Sequence, residues 1–147
     1  MVVNGWNLYL YRTFDAQLVA LEDEVEALSA SASTRDAKHP KEKLLAAIRY
    51  LILTVIPRDP SAAEFRQGNT LGPHNRHWFR AKFFQRYRLF FRFSSKEKVI
   101  VYVWMNDEGT LRKRGSKTDP YAVFQSMLET GNPPQSMQDL RKCSREL

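Results

Sequence analysis

Two neighbouring stretches of strict alternation, Arg76 to Phe84 and Arg86 to Ser94, constrain the fold of this chain more than any other feature. In the first, the odd positions are His77, Phe79, Ala81 and Phe83, and the even ones Arg76, Trp78, Arg80, Lys82 and Phe84. In the second, Tyr87, Leu89, Phe91 and Phe93 alternate with Arg86, Arg88, Phe90, Arg92 and Ser94. Strand side chains point alternately to the two faces of a sheet, so each stretch predicts a strand with one apolar and one largely basic face. Val99 to Met105, nearly all β-branched or aromatic, predicts a third strand that is central or covered on both faces.

Around these strands the grammar is helical. Phe14, Leu18, Leu21, Val25 and Leu28 recur in steps of four and three, which places them on one helix face; Glu22, Asp23, Glu24 and Glu26 opposite read as a solvated acidic surface rather than paired catalytic carboxylates. After a small, polar stretch from Ser29 to Lys38, a second helix is expected from Pro40, whose fixed φ suits a first helical position. It should bury Leu44, Leu45, Ile48, Leu51, Ile52 and Val55 before Pro57 stops it. A third helix is expected with Thr118 or Asp119 as cap, Pro120 in its first turn, Phe124, Met127 and Leu128 as its apolar stripe, and Gly131 at its end. Trp6 to Tyr11 offers a short N-terminal strand, Met105 to Gly109 a turn, and the tail from Asn132 a short helix at most. The expected fold class is α+β, a single domain over 1–147 with a helical hairpin at 14–56, core strands at 76–105 and a C-terminal helix at 119–131.

A chain of 147 residues with 43% hydrophobic content suffices for one core. Its lone cysteine, Cys143, rules out an internal disulfide and fits a reducing compartment. The N-terminus lacks the pattern of a signal peptide, and the apolar run Leu44 to Ile56, broken by Arg49 and Thr54, falls short of the roughly 20 residues a bilayer needs. A cytoplasmic protein without a membrane partner is expected. Residues 1–63 carry 7 basic against 8 acidic side chains, and residues 64–147 carry 16 against 8, so the net charge of +7 belongs to the C-terminal part. Positive charge concentrated in this way attracts polyanions, nucleic acid first.

The charge peaks at residues 76–98, where Arg76, Arg80, Lys82, Arg86, Arg88, Arg92, Lys96 and Lys98 surround a single acid, Glu97. Arg80, Lys82, Arg88 and Arg92 should share one face of a hairpin, where they repel unless an anion is bound. Trp78 and Phe90 on that face either stand exposed and stack on unpaired bases or cover the edge of the core, two readings the sequence weights equally. Replacement of Arg88, away from packing, should move stability by no more than about 0.5 kcal/mol. Cutting RNA by attack of the 2′-oxygen on the adjacent phosphorus requires removal of a proton, neutralisation of the phosphorane and protonation of the leaving oxygen, which basic side chains can supply. No metal or other cofactor is assigned: His74 and His77 stand in and beside a loop without further Cys or clustered carboxylates. His77, on the apolar side, reads as a packing histidine, with His74 the better of the two for catalysis. Phosphate-cradling loops and nucleophile elbows are absent.

Val3-Asn4-Gly5-Trp6, Phe65-Arg66-Gln67-Gly68, Trp78-Phe79-Arg80-Ala81-Lys82-Phe83, Arg86-Tyr87-Arg88-Leu89-Phe90-Phe91-Arg92, Trp104-Met105-Asn106-Asp107-Glu108 and Lys117-Thr118-Asp119, in that order, resemble the YhaV toxins. The resemblance covers nearly the whole chain and implies membership of the RelE/ParE superfamily: a twisted antiparallel sheet with N-terminal helices on one face, metal-free cleavage of mRNA, on the ribosome or off it, and neutralisation by an AbrB-like antitoxin, PrlF, with operator DNA met only through the antitoxin complex. Carried over residue by residue, it assigns catalysis to Arg80, Lys82, Arg88, Arg112 and Tyr121, and RNA binding to Arg76, Trp78, Arg86, Arg92 and Lys117. Arginine keeps its proton, so Lys82 rather than Arg80 can act as base. Lys113, Arg114 and Lys117 rival Arg112. The reading is therefore an endoribonuclease toxin that inhibits translation; the alternatives are a non-enzymatic nucleic-acid-binding protein and a gyrase-inhibiting toxin like the ParE branch.

Overall fold

The structure is a computed structural model that describes residues 1–31 and 39–147. The chain opens with a hairpin of two strands, β1 (Val2–Val3) and β2 (Trp6–Tyr11). Asn4 and Gly5 form its turn with φ of 49° and 83°, the left-handed pair that a two-residue hairpin demands and that Asn-Gly supplies with least strain. Helix α1 (Arg12–Ser31) follows directly and buries Phe14, Leu18 and Leu21 as the spacing predicts. Helix α2 (Pro40–Tyr50) begins as expected with Pro40 in its first turn, and the ring of His39 accepts from the Lys41 amide. Arg49 and Lys41 of α2 pair with Glu22 and Glu24 of α1, so part of the acidic face bridges the two helices.

Pro57 does not stop the second helix where expected. Leu51–Val55 form a π turn, and a last turn of helix, α3 (Ile56–Arg58), contains the proline. A proline ring presses on the carbonyl four residues back, and the wide turn, in which the Ile56 amide reaches the Leu51 carbonyl, makes room for it. The Asn4 side chain then donates to the carbonyls of Pro57 and Arg58, tying the helix end to the hairpin turn.

The alternating segments give β3 (Phe79–Phe83) and β4 (Tyr87–Ser94), and the apolar run gives β5 (Val99–Met105), buried along its whole length as expected of a central strand. β3 is shorter than the alternation suggests because Pro73–Asn75 make a 3-10 turn and Arg76 lies outside the strand. Helix α4 (Pro120–Glu129) follows with Asp119 as its cap, then α5 (Met137–Lys142), the short helix expected of the tail, and β6 (Ser144–Glu146), which the tail's sequence leaves unannounced.

The α+β class holds, and the sheet is mixed: β2–β5–β4–β3 run side by side, with β1 and β6 sharing the far edge of β2. β3, β4 and β5 pair antiparallel, whereas β2 lies parallel to β5, Leu8 opposite Ile100 and Leu10 opposite Tyr102. Odd residues of β3 and β4 (Ala81, Phe83, Leu89, Phe91) pack under α1 and α2 with Phe14, Ile48 and Ile52. On the other face α4 lays Phe124 flat on Phe90, ring centroids 4.3 Å apart, with Trp78 edge-on at 5.2 Å and Trp104 stacked at 5.9 Å. The helix covers only part of that face. Toward the β3–β4 turn the sheet carries cations instead.

Candidate active site

The expected basic face is present but divided, and its division locates the site. Arg80 on β3 and Arg88 on β4 are only 8% and 6% exposed, and both direct Nε at the same atom: the Tyr121 hydroxyl accepts from Arg80 at 2.8 Å and from Arg88 at 3.0 Å. The remaining contacts are equally specific. Arg80 Nη1 donates to the Glu64 and Arg66 carbonyls, both at 2.9 Å, and Arg88 Nη1 to those of Gln85 (2.8 Å) and Tyr87 (2.9 Å). Three of the five N–H bonds of each guanidinium are thus spent on the protein, which fixes the planar forks and leaves Nη2 of each without a protein acceptor among the described residues. Arg112 completes the group with its guanidinium 4.7 Å from the centre of the Tyr121 ring.

The loop from β5 to α4 is held in place by two buried side chains, Asn106 and Asp119. Asn106, fully buried, accepts from the Arg88 amide at 2.7 Å and donates to the Arg86 and Thr110 carbonyls, stitching the loop to β4. Asp119, 3% exposed, caps α4 through the Tyr121 amide at 3.1 Å while its other oxygen accepts from Arg112 Nη1 at 2.8 Å and the Lys113 amide at 2.7 Å. One carboxylate therefore sets both the start of the helix that carries Tyr121 and the cation that lies on its ring. The cap was readable from the sequence, whereas the second use was not, because it pairs residues across an irregular loop.

Lys82 is exposed and stands directly opposite Arg88 across the two strands, a spacing of about 5 Å between Cβ atoms. Arg86, also exposed, donates from Nε to the Arg112 carbonyl at 3.1 Å, and Lys117 lines a cleft of about 420 Å³ with Thr70, Arg112, Tyr121 and Gln125. Five of the five candidate catalytic positions and two of the RNA-binding ones thus lie in one neighbourhood.

The other three do not. Trp78 and Phe90 are 0% exposed, so neither can stack on a base: α4 covers them with Phe124. Arg92 lies four residues along β4 from Arg88, about 13 Å of strand, where its guanidinium covers the Trp78 ring and donates to the Gln135 carbonyl. Burial holds its pKa below the ordinary arginine value, and it serves to fasten the α4–α5 connection. Arg76 is turned to Asn69, whose side chain accepts from its Nε at 2.8 Å. His77 also departs from expectation: outside β3 it is exposed rather than packed, and its Nε2 pairs with Gln135. Among the described residues, no three of His, Cys, Asp and Glu gather into a group that could hold a metal ion, and no helix is long and apolar enough to cross a membrane.

The family described as a toxin with endonuclease activity, of toxin–antitoxin systems, matches residues 8–145. Toxin YhaV of Escherichia coli O6:H1 is 46% identical over 146 residues, which span 98% of this chain and 95% of the relative; ribonuclease toxin YhaV of Escherichia coli K12 is 45% identical over the same spans. No solved structure matches the chain significantly. With its cations converged on a tyrosine and nearly its whole length matched, the chain belongs to the YhaV family of endonuclease toxins from toxin–antitoxin systems.

Proposed function

We propose that residues 1–147 form a single cytoplasmic toxin domain that cleaves mRNA and so arrests translation, and that its antitoxin is an AbrB-like protein of the PrlF type that covers the basic face. The convergence of Arg80, Arg88 and Arg112 on Tyr121 carries this reading. Rigid cations around one hydroxyl, beside a cleft, suit a reaction whose transition state gathers negative charge on a phosphorus centre. The 2′-hydroxyl of the substrate loses its proton to Lys82 as its oxygen bonds to phosphorus. The phosphorane's charge falls to the free Nη2 groups of Arg80 and Arg88 and to Arg112. Tyr121, its oxygen already accepting from two arginines, keeps its own proton available for the departing 5′-oxygen. The products are a 2′,3′-cyclic phosphate and a 5′-hydroxyl, and no step calls on a metal. The name of the 45% identical relative, a ribonuclease toxin, supports RNA over DNA as substrate.

The test is incubation of the purified protein with a defined RNA, its all-deoxy counterpart and EDTA, with chemical analysis of the new ends. Cyclic phosphate and 5′-hydroxyl ends from RNA alone, in EDTA, are expected. Cleavage of the deoxy strand, or activity restored only by a divalent ion, would overturn the chemistry. Running the same reaction with and without ribosomes separates cleavage of free mRNA from cleavage of mRNA under translation.

A further inference from the structure

The two rings with the right sequence surroundings for base stacking are buried, yet the structure presents another. Phe84 sits at the tip between β3 and β4 and is 52% exposed, beside a hollow of about 350 Å³ lined by Lys43, Leu44, Tyr87 and one acid, Glu108. Its backbone is as informative as its exposure. Phe84 and Gln85 have φ of 46° and 62°, the left-handed region in which a large side chain is disfavoured and where Asn or Gly is the natural choice, as at Asn4-Gly5 in this same chain. A bulky ring held in strain and facing water is what folding alone selects against, and such outliers gather at functional positions. The exposed cations Lys82 and Arg86 lie two residues to either side, and Lys82 stands opposite Arg88 of the candidate site.

We propose that Phe84 is the stacking platform for an unpaired base of the RNA substrate, next to the nucleotides held at Tyr121. This rests on the proposed cleavage of RNA and adds to it the residue that grips the strand beyond the scissile phosphate. RNA is the favoured occupant because Lys82 and Arg86 flank the ring in sequence, Lys43 lines the hollow beside it, and Lys82 stands opposite Arg88 across the strands. A ring on an aromatic face is sequence-tolerant, so Phe84 contributes affinity rather than base choice.

The experiment compares wild type with Phe84→Asn and Phe84→Trp on a 2′-O-methyl RNA dodecamer, which lacks the attacking hydroxyl, carrying 2-aminopurine as a stacking reporter. Phe84→Asn should weaken binding roughly 5- to 150-fold, the loss of one stacked base. It should abolish the quenching of 2-aminopurine and melt no lower than wild type, since asparagine tolerates the left-handed backbone; Phe84→Trp should retain both affinity and quenching. With cleavable RNA the loss should fall on KM rather than kcat. A Phe84→Asn protein that binds within twofold of wild type, or that binds RNA normally but escapes its antitoxin, overturns the proposal, the latter by giving the ring to a protein partner. If wild type itself neither binds nor cuts RNA, the proposed function fails with it, whereas wild-type cutting with an indifferent Phe84 removes the platform alone.

Discussion

Tyr121→Phe removes one oxygen and leaves the ring, which makes it the cleanest probe of the arginine pair. In the wild type that oxygen accepts from two buried, charged donors, Arg80 Nε and Arg88 Nε, at 2.8 and 3.0 Å. Without it both face a ring edge. An unsatisfied buried donor costs roughly 1–3 kcal/mol, and more when charged, so two would cost roughly 2–6 kcal/mol; water entering from the adjoining cleft should recover part of this. About 3 kcal/mol of stability should be lost, which for a chain of this length lowers Tm by about 10 °C. The single-turnover rate should fall at least 100-fold, because the proton donor goes and the forks are freed together. Thermal melting and rapid-quench cleavage on the same samples decide the matter. A Tm within about 2 °C of wild type would show that the hydroxyl does not organise the arginines, and a low-melting variant that still cuts at the wild-type rate would confine Tyr121 to a structural role.

Arg88→Ala should lower the single-turnover rate about 100- to 1000-fold and, contrary to what an open strand face implies, should also cost roughly 1–3 kcal/mol in urea unfolding, because the buried guanidinium leaves three acceptors behind. Asp119→Asn keeps an acceptor for the Tyr121 amide but loses the charge that steers Arg112, so cleavage should drop about tenfold, with little further loss when Arg112→Ala is added; full additivity in that double-mutant cycle would separate the two residues. Lys82→Arg keeps the charge and removes a group able to release a proton, so a rate still depressed more than about 100-fold supports a base and recovery to wild type supports a phosphate clamp. Burial raises the pKa of Tyr102 well above 10.0, so the folded state holds that proton more tightly than the unfolded one; stability should be level below pH 10 and fall as pH rises above it, and Tyr102→Phe should flatten that fall in urea titrations between pH 8 and 11.

The strands and helices were legible because each follows one strong period. The alternation of residues 79–83 and 87–94 and the three-four spacing from Phe14 map directly onto buried faces. Alternation says which side chains share a face but not what lies over that face. Trp78, Phe90 and Arg92 alternate with the apolar residues just as Arg80, Lys82 and Arg88 do, and only the docking of α4 decides that Trp78 and Phe90 lie against Phe124 and Arg92 on the Trp78 ring, while Arg80 and Arg88 meet Tyr121. The same limit applies to Asp119, whose capping is a local rule and whose contact with Arg112 is a matter of loop geometry. Two signals were present but unread: the Asn-Gly turn of the first hairpin and a phenylalanine where the β3–β4 tip calls for a small or amide residue. Tail residues 144–146 form a strand because β2 leaves part of its edge open, a demand set far away in the chain.

The parallel pairing of β2 with β5 also orders events in time. Closing a loop from Leu8 to Ile100 costs more chain entropy than closing the neighbouring hairpins of β3, β4 and β5, which need only a few residues of slack. During synthesis, residues 6–11 must therefore wait, their edge toward β5 unpaired, until β5 has been made, while Arg80 and Arg88 come together early. Tyr121 arrives later still, on a helix beyond β5. The group proposed to act on the scissile phosphate is consequently assembled in sequence, its arginine pair set by the local strands and its tyrosine added afterwards by α4.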